Sequence, residues 1–400
     1  MKTGACFRPW QVRAAIRLRL AGWPALWLGS ALCLAQPAVA VPPPESLGAL
    51  RSQLEAHLTQ PRFKGAHWGV QVVSLDTGKV LFAHHAERLF VPASNAKLFT
   101  AALALDRLGP EHRVRTSLYA SGRPSRGGRL KGDLIVYGRG DPTLTARSHG
   151  GDLELALAPL AAALTAAGVK RVQGNLIADE SFFRGPALGA GWEWDDLQYA
   201  YGAEASALSI NDNALEVFVR PGAQVGRPAG IELRPQTTLL SVSNRVTTTP
   251  ATSRRAVDLY RPPGRNVLYL TGTIPLNHTG YTQSVSVPEP ARWFGLTLRE
   301  ALRRRGITVD GQVRAVNWLD REARPLETQR LVELGGLDSP PLSDLLGRML
   351  KPSQNLYAQL LLLQVGAADL TKEERPTALE QGSNSPTVSA GSGSTPGRAR

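Results

Sequence analysis

The spacing of apolar residues changes character several times from one end of this chain to the other. "SLGALRSQLEAHL" (46–58) has helical spacing, and "HWGVQVVSLDTGKVLFAHH" (67–85) alternates apolar with polar around Asp76-Thr77-Gly78, which predicts a hairpin. Over 94–108, Leu98, Ala101, Ala102, Leu105 and Leu108 share one helical face, and Gly109-Pro110 stops the helix. From 111 to about 285, short strand-like runs ("GDLIVYG", "VQGNLIADESFF", "ALEVFVR", "NVLYLTGTI") alternate with Gly, Pro and Arg turns. One Ala-rich helix, "LELALAPLAAALTAAG", interrupts them. Helical spacing returns at 290–306 and at 340–364, after which the remaining residues show almost no apolar periodicity.

These runs predict a mixed α/β chain in segments. Residues 41–110 and 286–366 form the two parts of one domain, a mostly-β region over 111–285 is inserted between them, and 367–400 is a disordered or foreign tail. A composition of 42% hydrophobic and 20% charged residues is that of a folded globular protein.

The first forty residues carry a different signal. Lys2, Arg8, Arg13, Arg17 and Arg19 form a basic stretch, "LAGWPALWLGSALCLA" an apolar one, and Ala38-Val39-Ala40 a small-x-small cleavage pattern. A membrane span needs about 20 apolar residues, and this run is shorter and broken by Pro24. A secretory signal cleaved near Ala40 and a periplasmic location are expected, with a retained anchor as the alternative. Five of the positive charges behind the formal net charge of +13 leave with that signal, and so do both cysteines, Cys6 and Cys33. The mature chain is then expected to have no disulfide. Its remaining basic balance suits an anionic envelope polymer or a peripheral contact with a membrane surface, and solubility accounts for it equally well.

The reactive chemistry centres on "VPASNAKLFT". Alone, Ser94 reads as a helix N-cap. Lys97, however, follows it by three residues, so the two share one helix face. A serine needs a base to become a nucleophile, and a lysine can serve when burial lowers its pKa. Of the lysines in this chain, only Lys97 has a serine three residues before it. The second element is Ser353-Gln354-Asn355, between two helical patterns, where a loop can project Ser353 and Asn355; a helix cap after Pro352 is the plainer reading. S-x-x-K and S-x-N occur together in penicillin-binding proteins and β-lactamases.

With "GRGDPTL", "GWEWDDLQYAYGAEASALSINDN", "GTIPL", "LREALRRRGITVDG" and "SPPLSDLLGRMLKPSQNLYAQLLL" in order, the chain from about 60 to 365 resembles the D-alanyl-D-alanine carboxypeptidase/endopeptidase family of low-molecular-mass class C penicillin-binding proteins. The resemblance implies a β-lactamase/transpeptidase-like domain, a sheet flanked by helices, carrying the large mostly-β insertion. It implies serine acyl transfer on peptidoglycan stem peptides, without metal or other cofactor. Ser94 would attack the carbonyl between two D-alanines and Lys97 would take its proton. Ser353 would relay a proton to the leaving amine, and Asn355 would bind the substrate amide. β-Lactam antibiotics would acylate Ser94 as covalent inhibitors. In some relatives an aromatic and acidic wall of the insertion recognises diaminopimelate. Here Asp195 or Asp196 could pair with such an amine while Trp192 or Tyr201 packs on its stem, against the plainer reading of a buried tryptophan with solvated acids.

Other classes fit less well. There is no G-x-S-x-G and no H-E-x-x-H; His84-His85 ends a hairpin with no evident ligand partner, and "GRG" at 138–140 lacks dinucleotide spacing. "REALRRRG" fits a solvated helix face, and an exported protein gives no reason to expect nucleic acid. A non-catalytic peptidoglycan-binding pseudo-enzyme stays open. A β-lactamase is the nearest enzymatic rival, although the long insertion favours a peptidase.

The family also carries K-T-G after S-x-N, on the strand lining the active site. Nothing after Asn355 matches it; Lys2-Thr3-Gly4 lies in the signal, and His278-Thr279-Gly280 precedes S-x-N and reads as a turn. The expectation is a truncated or frame-shifted reading frame that lacks the last strand of the domain and is impaired as a catalyst. An oxyanion-hole donor alone is worth about 10²–10³ in rate. Translating the DNA downstream in the other two frames is expected to yield K-T-G within reach, and its absence there would overturn the frameshift.

Overall fold

Ser46 opens the first helix by accepting a hydrogen bond from the Ala49 N–H at 3.1 Å. A computed structural model describes residues 45–189 and 191–368; the expected signal and both cysteines, and the expected tail from 369 onward, lie outside the described residues. Two compact units result, with the boundary between Val91 and Pro92 rather than near residue 110. The first contains helix α1 (Leu47–Leu58) and the expected hairpin, β1 (Val70–Val73) antiparallel to β2 (Val80–His84), turned at Gly78. His84 Nδ1 lies 3.2 Å from Glu55 Oε2, and His85 Nδ1 lies 3.3 Å from the Trp68 carbonyl.

The second unit begins with a 3-10 turn (Ala93–Asn95) and α2 (Ala96–Leu108). Next come β3 (Arg115–Ala120), β4 (Arg129–Leu130), β5 (Leu134–Tyr137), α3 (Leu153–Ala166), β6 (Arg171–Val172) and β7 (Leu176–Asp179). The middle of the unit adds β8 (Ala214–Arg220), β9 (Gly230–Arg234), β10 (Ser241–Thr249), β11 (Ala256–Tyr260), β12 (Val267–Pro275) and β13 (Tyr281–Ser286). It ends with α4 (Pro290–Arg304), β14 (Thr308–Val309), β15 (Val313–Val316), α5 (Trp318–Ala323), β16 (Val332–Asp338), α6 (Leu342–Leu350) and α7 (Asn355–Ala368). The mixed α/β expectation holds, and His278-Thr279-Gly280 is a turn between β12 and β13, its His278 Nδ1 accepting from the Gly280 N–H at 3.0 Å.

One five-stranded sheet, ordered β15-β7-β5-β3-β16, organises this unit. β16 pairs antiparallel with β3, so a strand at residue 332 closes on one at residue 120. The boundary expected at 285 therefore runs through a continuous hydrogen-bonded sheet. The pairing continues beyond the strands: the Ser339 N–H reaches the Val114 carbonyl (2.9 Å), Leu342 reaches His112 (2.8 Å) and Ser343 reaches Pro110 (3.0 Å). Ser339 Oγ accepts from the Val114 N–H as well, at 2.9 Å. The chain thus leaves α2 and re-enters α6 at one zipped pair of segments, and everything between them is a single excursion. α3 and α4 supply much of its core, burying Leu153, Leu157, Leu160 and Leu164 from α3 and Trp293, Phe294, Leu298 and Leu302 from α4.

A separate core joins α2, α6 and α7. In α6, Leu342, Leu345, Leu346 and Met349 recur at the helical period and are all buried. They pack with Ala101, Leu103 and Ala104 of α2 and Tyr357, Leu361 and Val365 of α7. The face of α2 differs from the one its apolar spacing predicts: Leu98 is 58% and Leu105 41% exposed, while Lys97, Ala101 and Ala104 point inward. A periodicity count favours large apolar residues, whereas this interface uses small ones that let α7 approach. Gly140 ties the excursion to α7, since its φ of +93° is a conformation that favours glycine and a Cβ there would meet the Phe183 ring at 2.6 Å. Beside it, the Gln364 side chain of α7 donates to the Arg139 carbonyl.

Glu180, just after β7, accepts from Ser206 Oγ and faces Asp179, Glu204 and Glu289. Burial, more than those neighbouring charges, pushes its carboxyl up to about 7. The folded protein therefore holds a proton that the unfolded chain releases near 4.5. The associated stability is complete below that value and is lost as pH rises through about 7. Glu180→Gln is expected to match the wild type at pH 4.5 and to exceed it by about 3 kcal/mol at pH 8. Urea unfolding at the two pH values checks this, and an equal difference at both would contradict it.

Candidate active site

The opening turn of α2 does not use Ser94 as a cap. The residue at the N-cap position is Asn95, with no side-chain bond to the helix. Ser94 is exposed on the turn before it, and Lys97, one helical turn on, is only 8% exposed. The Lys97 amine has three oxygens within reach. It donates to Asn355 Oδ1 at 2.6 Å, to Ser94 Oγ at 3.3 Å and to Ser353 Oγ at 3.4 Å. Ser353 Oγ is itself 2.8 Å from Ser94 Oγ. Desolvation holds the Lys97 amine below the ordinary lysine value.

The α6–α7 turn brings Ser353 and Asn355 to this point. Leu345, Leu346 and Met349 fix α6 against α2, and Leu356, Tyr357 and Leu360 bury the first turn of α7. Between them the chain reverses over 351–354 with Ser353 at φ +60°, left-handed for a non-glycine residue. Ser353 is exposed and Asn355 half-buried, so both side chains face the opening in which Lys97 ends.

The structure divides the residues expected from the inserted segment. Tyr201 reaches the cluster through its backbone, its carbonyl accepting from Asn355 Nδ2 at 3.1 Å. Its hydroxyl donates to Asp196 Oδ1 at 3.0 Å, and its ring stacks on Tyr199 at 5.4 Å between centroids. Asp196 thus meets the cluster through Tyr201. Among the described residues, no hydrogen bond joins Trp192 or Asp195 to Ser94, Lys97, Ser353 or Asn355. Asp195 is exposed, and Trp192 is half-buried with its backbone N–H donating to the Gly189 carbonyl at 3.1 Å.

Arg261, 4% exposed, was not visible from the sequence as part of this surround. Its guanidinium donates to the Leu197 carbonyl and to Ser286 Oγ, pinning the segment that ends at Tyr201. An arginine between a strand and Pro262-Pro263 reads as a turn residue, and only Ser286, distant in sequence, reveals its burial. Among the described residues no cluster of three or more metal-binding side chains occurs, and no helix is long and apolar enough to cross a membrane.

A buried lysine bridging two serines and an asparagine is the arrangement that S-x-x-K and S-x-N are built to make, and comparison with known proteins agrees. Residues 50–387 match the D-Ala-D-Ala carboxypeptidase 3 (S13) family. The chain belongs to that family. It is 35% identical over 342 residues to the D-alanyl-D-alanine carboxypeptidase of Actinomadura sp. (strain R39), covering 83% of this chain and 60% of that relative. It is 26% identical over 326 residues to the D-alanyl-D-alanine carboxypeptidase DacB of Haemophilus influenzae, covering 81% and 64%. The crystal structure of penicillin-binding protein 4 (dacB) from Haemophilus influenzae superposes with a TM-score of 0.66 at 25% identity, over 80% of this chain and 66% of that one. The family resemblance and fold class expected from the sequence are thereby borne out. The chain spans a little under two thirds of the length of these relatives.

Proposed function

We propose that this protein is an exported serine D-Ala-D-Ala carboxypeptidase/endopeptidase that cleaves peptidoglycan stem peptides through an acyl-enzyme on Ser94. The observation that carries the reading is the Lys97 amine held against Ser94 Oγ, Ser353 Oγ and Asn355 Oδ1 in a desolvated position. Family membership supports the substrate class.

The chemistry follows from proton capacity. An ammonium has three N–H bonds and no lone pair; a neutral amine has two N–H bonds and one lone pair. With its two donors on Asn355 and Ser353, the neutral Lys97 amine turns its lone pair toward Ser94 Oγ. The amine takes the hydroxyl proton as Ser94 Oγ bonds to the carbonyl carbon between the two D-alanines. The proton then passes through Ser353 Oγ, 2.8 Å from Ser94 Oγ, to the departing amine nitrogen. The C–N bond breaks, leaving an ester on Ser94 that water hydrolyses. Asn355, steadied by the Tyr201 carbonyl, offers its amide to the substrate backbone. β-Lactams form the same ester and leave it slowly. One relative is named a penicillin-sensitive carboxypeptidase, and penicillin-binding protein 4 from Haemophilus influenzae has been crystallised with a β-lactam.

On this reading Asp196 and Tyr201, with Asp195 and Trp192 farther along the same segment, form the side of the site that meets the amino end of the stem peptide. The basic and apolar stretch before Ala40 exports the chain to the periplasm.

A fluorescent penicillin is expected to label the wild-type chain on Ser94. Ser94→Ala should abolish labelling, and Lys97→Ala should slow it by about 10²–10⁴-fold, the usual worth of a general base. Because the base must be unprotonated, labelling should speed up as pH rises through the Lys97 pKa and level off below the ordinary lysine value. A folded wild-type chain that takes no penicillin would favour the binding-only reading.

A further inference from the structure

The three-stranded sheet of β10, β12 and β11 has one face packed and one face open to solvent. Val246, Leu259, Leu268, Leu270 and Ile274 point into the core, and the alternate positions point outward. Register sets the outward residues in two rows across the sheet. Ser243 lies beside Tyr269 and Tyr269 beside Tyr260; Arg245 lies beside Thr271 and Thr271 beside Asp258. These six side chains line a concavity of about 280 Å³. Tyr260 is 47% and Tyr269 38% exposed, directly opposite each other on an antiparallel pair. Among the described residues, no hydrogen bond, ion pair or ring contact uses any of the six side chains. Arg245 and Asp258 stand on the outer strands, two spacings of about 4.8 Å apart, and no ion pair joins them across Thr271.

Two neighbouring aromatic rings edged by free donors and acceptors suit a sugar. The C–H face of a pyranose stacks on a tyrosine ring, and its hydroxyls both donate and accept. Arg245 supplies donors, Asp258 supplies acceptors, and Ser243 and Thr271 supply both. Asp258 also decides against phosphate-bearing ligands. A carboxylate inside the slot repels a nucleic-acid backbone or a lipid phosphate, but it accepts from a sugar hydroxyl. The positive charge lies at the ends instead. Between residues 222 and 281 the chain has seven arginines against two acidic residues, Glu232 and Asp258. Arg265, in the turn after β11, is exposed beyond the tyrosine row, and Arg254, in the turn before β11, is exposed at the opposite end. Carboxylates hanging from a sugar chain complement that distribution. The slot is also tied to the site above. The residue after Tyr260 is Arg261, whose guanidinium donates to the Leu197 carbonyl and to Ser286 Oγ and so pins the segment ending at Tyr201.

We propose that this outer face is a binding slot for the glycan strand of peptidoglycan, distinct from the acyl-transfer site and carried on the strand that braces it. The proposal rests on peptidoglycan being the substrate, and it adds a hold on the part of the polymer that does not react.

The test uses the full chain and two probes: isolated peptidoglycan sacculi, read by co-sedimentation, and an N-acetylglucosamine hexasaccharide, read by calorimetric titration. The hexasaccharide carries no peptide, so it reports on the slot alone. Tyr260→Ala and Tyr269→Ala are each expected to weaken both associations about fivefold or more, and Tyr269→Phe, which keeps the ring, to retain most of the affinity. Arg245→Ala should weaken both as well. A wild type that does not bind the hexasaccharide, or a Tyr260→Ala/Tyr269→Ala double variant that binds both probes as the wild type does, would overturn the proposal. So would tighter association with oligothymidylate or with phosphatidylglycerol vesicles that the double variant loses, since the face would then belong to a nucleic acid or a membrane. Should Tyr260→Ala, next to Arg261, fail to fold, Tyr269→Ala and Thr271→Glu, both at exposed positions of β12, give the same decision. If penicillin does not label the wild type, the acyl-enzyme reading fails by itself, and hexasaccharide binding still decides the slot because it involves no acylation.

Discussion

A lysine amine that serves as a base has to be out of water and still touch a hydroxyl that is in it, and the fold is arranged around that conflict. Lys97 lies on the inward side of α2, where Ala101 and Ala104 continue the same face. Those two small residues let α7 pack close, and with α7 comes Asn355, whose Oδ1 makes the shortest of the amine's three contacts. An unpartnered ammonium in that position would be strongly disfavoured. Three oxygens make it tolerable while leaving the pKa depressed. A larger residue at 101 or 104 would hold α7 away and break the Asn355 contact first.

Two of the three partners of Lys97, Ser353 and Asn355, come from more than 250 positions away in the chain. Loop-closure entropy rises only slowly with length, so the long excursion between α2 and α6 is tolerable if its ends are fixed. They are fixed by pairing: β3 with β16, then Val114 with Ser339, His112 with Leu342 and Pro110 with Ser343. Whatever the excursion contains, α2 and α6 begin from a common hydrogen-bonded ladder, and the three-helix core is assembled from there.

This explains which parts of the molecule could be read in advance. Helix α6 and the hairpin of β1 and β2 were legible because their apolar residues repeat at a single period. Ser94, Lys97, Ser353 and Asn355 were legible because S-x-x-K and S-x-N are short local patterns whose spacing has a chemical meaning. The inward face of α2 was only partly anticipated: Ala101 and Leu108 were placed on it, whereas Lys97, Leu103 and Ala104 were not, because a charge does not register as core and Leu103 falls outside the spacing of Leu98, Ala101 and Leu105. The end of the excursion was misplaced at 285 because α4 and β15 announce a helix and a strand without saying which sheet receives them. Arg261 was invisible for a related reason: its function lies in contacts with Leu197 and Ser286, which only the tertiary fold creates.

The conformation of Ser353 shows why the excursion matters to the chemistry. A non-glycine residue in the left-handed region costs about 1–3 kcal/mol and persists only where its surroundings over-determine it. A single neutral hydrogen bond contributes about 0.5–1.5 kcal/mol, and one to a charged group about 1.5–3 kcal/mol. One neutral bond is therefore too weak to hold the turn against relaxation, whereas the Tyr201 carbonyl on Asn355 together with the Met349 carbonyl on the Gln354 N–H and the Leu350 carbonyl on the Ser353 N–H is enough. The first of these comes from the excursion and the other two from the end of α6. The excursion, through the Tyr201 carbonyl, is accordingly part of what gives Ser353 its geometry.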